Sequence, residues 1–207
     1  MLVLHAVGMS VTLTGRYARP VVLIAAFALA AAHSLPRSAA AQEISIHTAR
    51  DGDFVMVSAS AVMQVDLRIA WEVVSDYDHL AQFIPDMKSS RVVSRNGNSV
   101  RVEQKGEIGF FFYRQPVDVV LEVLEQPPRR ITARSVEGNI RDLETRYELQ
   151  ATDSGVKLGY AGRFDPEFSL PPLIGMPILR RIVERRFRAM VEEILRRDAL
   201  ARGAPKQ

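Results

Sequence analysis

The sequence contains no cysteine. Disulfides, thiolate catalysis and cysteine-ligated zinc are therefore excluded, and the fold must be held by its own core. Histidine is sparse too: of the 4 present, His5 and His33 fall in the first 41 residues, leaving His47 and His79. No G-x-S-x-G, HExxH or glycine-rich phosphate loop occurs, and no metal-ligand spacing. Nothing in the chain points to a metal or a cofactor. Aromatics make up only 7% of residues, which isolates the run Phe110-Phe111-Phe112-Tyr113 within GEIGFFFYRQP (106–116).

Long hydrophobic runs are also lacking. The longest, VVLIAAFALAAA (21–32), spans about twelve residues, short of the roughly 20 that a spanning helix needs. Arg16 and Arg19 precede it, and Ala39 and Ala41 follow in an A-x-A pattern. A basic region, an apolar region and small residues at a cut site make a signal peptide over residues 1–41. Met9 is an alternative start, and an uncleaved membrane anchor is the alternative reading. The expected location is periplasmic or secreted. Removing Arg16, Arg19 and Arg37 brings the 27 basic residues level with the 24 acidic ones. Nucleic-acid binding, which needs a basic footprint, is not expected.

What is present is an alternation. Residues 42–53 read as a polar lead-in. Val55, Val57, Ala59, Ala61, Met63 and Val65 then share one face of a strand. Asp66 suits a helix N-cap, and Leu67, Ala70, Trp71 and Val74 recur at helical spacing up to a break at SDYD. Leu80, Phe83 and Ile84 make a second short apolar face that Pro85 ends. About six strands follow, joined by turn signals such as Asn96-Gly97 and Asp153-Ser154-Gly155. A helix over about 178–201 closes the chain, with a wide apolar stripe and eight arginines expected outside or beside it. Hairpin-joined strands give an antiparallel sheet, and the helix must bury its stripe against it. The class is α+β.

Three stretches carry a resemblance: AWEVVSDYDHLAQFIPDMKSSRVV (70–93), VVLEVLEQPPRRITARSVEGNIRDLETRYEL (119–149) and GVKLGYAGRFDPEFSLPP (155–172) with the long helix after it. Glu137, Gly138, Asn139, Ile140 and Tyr147 match a recurring turn and mid-strand aromatic. The sequence resembles the START-like, or SRPBCC, superfamily, in its polyketide cyclase/dehydrase and coenzyme Q-binding (Coq10-type) branch. The resemblance implies a helix-grip fold over residues 54–202, with 203–207 as a tail. A curved antiparallel sheet of about six or seven strands would grip the long C-terminal helix, with two short helices after the first strand. It also implies a cavity between sheet and helix for a lipid, quinone, sterol or polyketide, with DYDHLAQFIP capping one end.

The alternating faces nominate the lining. The sheet offers Val100, Val102, Val119, Leu121, Ile131, Leu149 and Leu158, with Tyr147 and Tyr160 as polar handles. The helix offers Ile182, Val183, Phe187 and Met190. The same residues build a filled core equally well, and only the resemblance favours a cavity. In the aromatic run, Phe110 and Phe112 would take one face and join the ligand site. Phe111 and Tyr113 would take the other, forming with Leu173, Ile174 and Met176 a rim for membrane or ligand. Pro116 suggests weak or bulged pairing there. Asp76, Tyr77 and His79 could form an acid–base set, but helix-end chemistry explains them as well. Three functions fit: carriage of a lipid or isoprenoid quinone, a cyclase or dehydratase on a polyketide-like substrate, or an envelope interaction module with a filled core. Transient membrane contact would accompany the first.

Overall fold

A computed structural model describes residues 44–110, 113–165 and 175–203, all within one compact unit, Ala41–Gln207. The signal-peptide reading of 1–41 lies outside them. Eight strands form one antiparallel sheet: β1 (Ser45–Asp51), β2 (Phe54–Met63), β3 (Met87–Asn96), β4 (Ser99–Phe110), β5 (Tyr113–Gln126), β6 (Arg130–Gly138), β7 (Arg141–Thr152) and β8 (Gly155–Asp165). Their order across the sheet is β1-β2-β8-β7-β6-β5-β4-β3. Between β2 and β3 lie α1 (Leu67–Val74), a 3-10 turn (Tyr77–His79) and α2 (Leu80–Phe83), and α3 (Gly175–Gly203) follows the sheet. None of the described helices is long and apolar enough to cross a membrane.

The expected helix-grip arrangement is present, with eight strands rather than six or seven. The extra strand is β1, which the sequence presents as a polar lead-in. Gly52-Asp53 closes a hairpin onto β2, with Gly52 at φ +59°, a turn conformation that suits glycine. An edge strand can stay mostly polar, and Ile46 is its one buried residue. On β2 the alternation holds: Val55, Val57, Ala59, Ala61 and Met63 are all buried.

Asp66 caps α1 by accepting the Arg68 N–H at 2.7 Å. Its own N–H donates to the buried Asp198 carboxylate of α3 at 2.8 Å, tying the cap to the long helix. That helix begins at Gly175, earlier than the pattern suggests, because Pro177 sits in the first turn. There its missing N–H would have had no partner anyway. Register shifts at Met87/Ser89 and Val92/Ser94 (β3–β4), Val120/Leu121 (β5–β6) and Arg141/Glu144 (β7–β8) mark bulges. Bulges bend strands and raise local twist, which curves the sheet around α3.

Pairing between β4 and β5 runs through Glu107↔Pro116 to Phe110↔Tyr113 without a shift. Of the weak or bulged pairing expected at Pro116, the bulge is not found. Glu107 donates its N–H to Asp86 on the β3 side at 2.9 Å, so this pair is a non-bonded one in the β4–β5 ladder. The missing proline N–H then faces the other way, where β6 pairing with β5 begins only at Val119. Phe110 and Tyr113 pair at the end of the β4–β5 ladder, so the aromatic run falls at the junction of two strands. Phe111 and Phe112, and the side chains of Phe110 and Tyr113, lie outside the described residues.

Candidate functional site

Across the middle of the sheet the register aligns Val123, Ala133, Thr145, Gly162 and Val57 on neighbouring strands. Three of these five side chains are small or absent, so this row cannot reach α3. A cavity of about 240 Å3 remains between sheet and helix. Val102, Val119, Leu121 and Ile131 line it from the sheet, with Tyr147 and Tyr160. Ile182, Val183, Phe187 and Met190 line it from α3, and Tyr77, Leu80 and Ile84 from the α1–α2 segment. Val100, Leu149 and Leu158 do not reach it. They are 1%, 3% and 0% exposed and belong to the solid core beyond it. Met176, nominated for a rim, is half-buried against the core, while Leu173 and Ile174 lie outside the described residues.

The polar side of the cavity is concentrated. The Tyr147 and Tyr160 rings pack at 4.8 Å between centroids, tilted by 44°. Burial pushes both hydroxyls above the ordinary tyrosine range, with the Arg186 charge opposing the rise. Both therefore remain neutral donors at physiological pH. A Cβ on Gly162 would stand 2.9 Å from the Tyr160 hydroxyl, so the absent side chain gives that hydroxyl its place. Arg186 lines the same cavity, contrary to the expectation that the arginines of α3 face outward. Its Nη2 donates to the Glu107 carbonyl at 3.1 Å. Its Nε is closed to solvent and has no partner among the described residues. Burial pushes its pKa down, against the pull of Asp86.

A family model described as "Polyketide cyclase / dehydrase and lipid transport" matches residues 63–191. The chain belongs to this family. No curated protein matches it. Among solved structures, it is similar to a STAR-related lipid transfer protein from Xanthomonas axonopodis, at 12% identity and TM-score 0.57, over 73% of this chain and 93% of that one. It is similar to the Zhui aromatase/cyclase from Streptomyces sp. R1128, at 15% identity and TM-score 0.54, over 76% and 94%. A START superfamily protein from Mycobacterium smegmatis gives 15% identity and TM-score 0.56, over 70% and 98%. At these identities the likeness establishes the shared fold.

Within this family fold, the three acid–base candidates separate. Tyr77 lines the cavity, and burial and then the Glu125 carboxylate push its hydroxyl upward. Asp76 and His79 do not line it. His79 Nδ1 lies 2.6 Å from Asp76 Oδ1, and Arg197 donates to Asp76 Oδ2 at 2.8 Å. Arg197 also donates to Glu193 at 2.7 Å, and Arg196 makes two further bonds there at 2.7 Å. Arg196 thus turns to Glu193 rather than to Glu192, the partner its spacing suggests. Asp78 accepts the Val92 N–H at 2.7 Å and holds β3. The motif is a latch that fastens the α1–α2 segment to α3 and to the sheet edge.

That latch sets an acid limit. Hydrogen bonding from Arg196, then Arg197, draws the Glu193 carboxyl down from 4.5 to about 2, against burial. Burial pushes Asp76 up, but hydrogen bonds from His79 and Arg197 outweigh it, leaving the carboxyl below its ordinary value. Folded values below unfolded ones mean stability that is full above the unfolded pKa and fades as pH falls through the folded one. The melting temperature should hold from pH 7 to about 5 and decline from about 4.5 toward 2. Glu193→Gln should flatten that decline when melts are followed by circular dichroism. An unchanged slope would show that the latch does not form in solution.

The sequence did carry a signal for Arg186. It lies four residues after Ile182, three after Val183 and four before Met190, inside the apolar stripe. Charge type, taken alone, places an arginine outside, and helical spacing was the better guide.

Proposed function

We propose that the domain binds a hydrophobic small molecule between its sheet and α3, for sequestration or transfer. A single-chain lipid or an isoprenoid quinone is the ligand class, and the leader exports the protein to the periplasm or beyond. The observation that carries the reading is the cavity of about 240 Å3, whose walls are mostly aliphatic. Apolar surface removed from water contributes roughly 25 cal/mol per Å2, so such a space favours an apolar guest. It also counts against the interaction module with a filled core. The cyclase reading gains less support, because Asp76 is bonded to both His79 and Arg197 outside the cavity.

Native mass spectrometry of the purified protein, then organic extraction, tests the proposal. A bound apolar molecule is expected, or uptake of a fatty acid or an isoprenoid quinone from phosphatidylcholine vesicles that carry it. Protein that carries none and takes up none would sink the idea. Ala133→Phe should fill the central row and lower retained ligand at least tenfold, with the melting temperature held within a few degrees. N-terminal sequencing of secreted material checks the cut after Ala41.

A further inference from the structure

We propose that the cavity receives an amphiphile bearing one carboxylate, and that Arg186 seats that carboxylate beside Glu107 of β4. The inference rests on the hydrophobic-ligand reading above and narrows it. Arg186 is the only charged residue among the described residues of the lining. The carboxylates near it are engaged elsewhere. Asp86 pairs with Arg185, and Glu107 pairs with Lys88 at 2.7 Å and with Arg114. Among the described residues, the guanidinium is left with one backbone carbonyl as hydrogen-bond partner and a buried Nε with none.

An arginine cannot shed its proton to relieve this, and a buried, poorly paired charge is costly. An anion delivered by a ligand removes the cost. The planar fork of the guanidinium matches a carboxylate, and the Tyr147 and Tyr160 hydroxyls share the same lining as neutral donors. A quinone carbonyl would accept one hydrogen bond but bring no charge. Volume adds a limit. About 240 Å3 falls below the roughly 300–1,000 Å3 of sites for drug-sized ligands. One acyl chain or a compact ring acid fits that space, and a two-chain phospholipid does not.

Isothermal titration of the full chain with decanoate and with decan-1-ol at pH 7.5 tests the proposal. A charge-assisted hydrogen bond in a dry site should make decanoate bind about 30-fold tighter than the alcohol. Arg186→Met should erase that preference and leave decanol affinity within about threefold. Arg186→Lys, a charge without the fork, should restore part of it. Decanoate should raise the melting temperature of the parent protein and not that of Arg186→Met. Should Arg186→Met fail to fold, the parent protein's preference between the two probes still decides. Equal affinities there overturn the carboxylate assignment and leave the hydrophobic-ligand reading standing. If neither probe binds, the carboxylate assignment falls, and the extraction experiment decides the hydrophobic-ligand reading separately.

Discussion

Replacing Gly138 with alanine should cost about 4 kcal/mol of stability, which exceeds most single substitutions. Gly138 ends β6 at φ +119°, a conformation open to glycine and strained for other residues. A Cβ there would lie 2.0 Å from the Asp118 carbonyl oxygen and 2.7 Å from the Val119 Cα. Those atoms belong to β5 and cannot swing aside. Asn139 locks them further. Its side chain accepts the Asp118 N–H at 3.0 Å and donates to the Pro116 carbonyl at 2.8 Å. Its backbone N–H donates to the Asp118 carbonyl at 3.0 Å. Strain and overpacking each cost about 1–3 kcal/mol, and both act here. At roughly 2–4 °C per kcal/mol, the melting temperature should fall by about 8–16 °C. A drop under about 3 °C would mean that β5 and β6 separate easily at this end. The Gly138-Asn139 turn, one of the marks of family resemblance, thus has a structural purpose.

Two leucines of one sheet should respond unequally to truncation. Leu158 is fully buried, registered between Ala61 of β2 and Leu149 of β7. Leu158→Ala opens a new void in close-packed surroundings and should cost about 4 kcal/mol, toward the top of the usual range of about 2–5. Leu121 already borders the cavity, so it has fewer contacts to lose. Leu121→Ala should cost about 2 kcal/mol and alter ligand size preference, whereas Leu158→Ala should leave binding unchanged. Urea unfolding of both variants measures the gap. Equal costs would show that the space beside Leu121 closes in solution.

The same pair shows where sequence reasoning reached its limit. Alternation along a strand says which face a residue takes, and it turns Leu121, Leu149 and Leu158 all inward. It does not say what stands opposite. Leu149 and Leu158 meet packed side chains, while Leu121 meets empty space. The aromatic run sits at the junction of β4 and β5, where Phe110 pairs with Tyr113, and the faces expected for its side chains lie outside the described residues. Likewise, the Asp76–His79 contact is local and was visible in the spacing, but Arg197, which makes it a latch, is remote in sequence.

The sequence by itself determined the class of fold, the order of elements after β1, and the inward face of β2 and of most of α3. These follow from periodicity, which is written locally in the chain. Tertiary structure alone decided that the interior holds a cavity. Ala133, Thr145 and Gly162 come from three strands, and only registry sets them side by side. It also decided that Arg186 lines that space with its Nε unpaired among the described residues. Both depend on which surfaces meet across the molecule, and a one-dimensional pattern does not encode the partner of a surface.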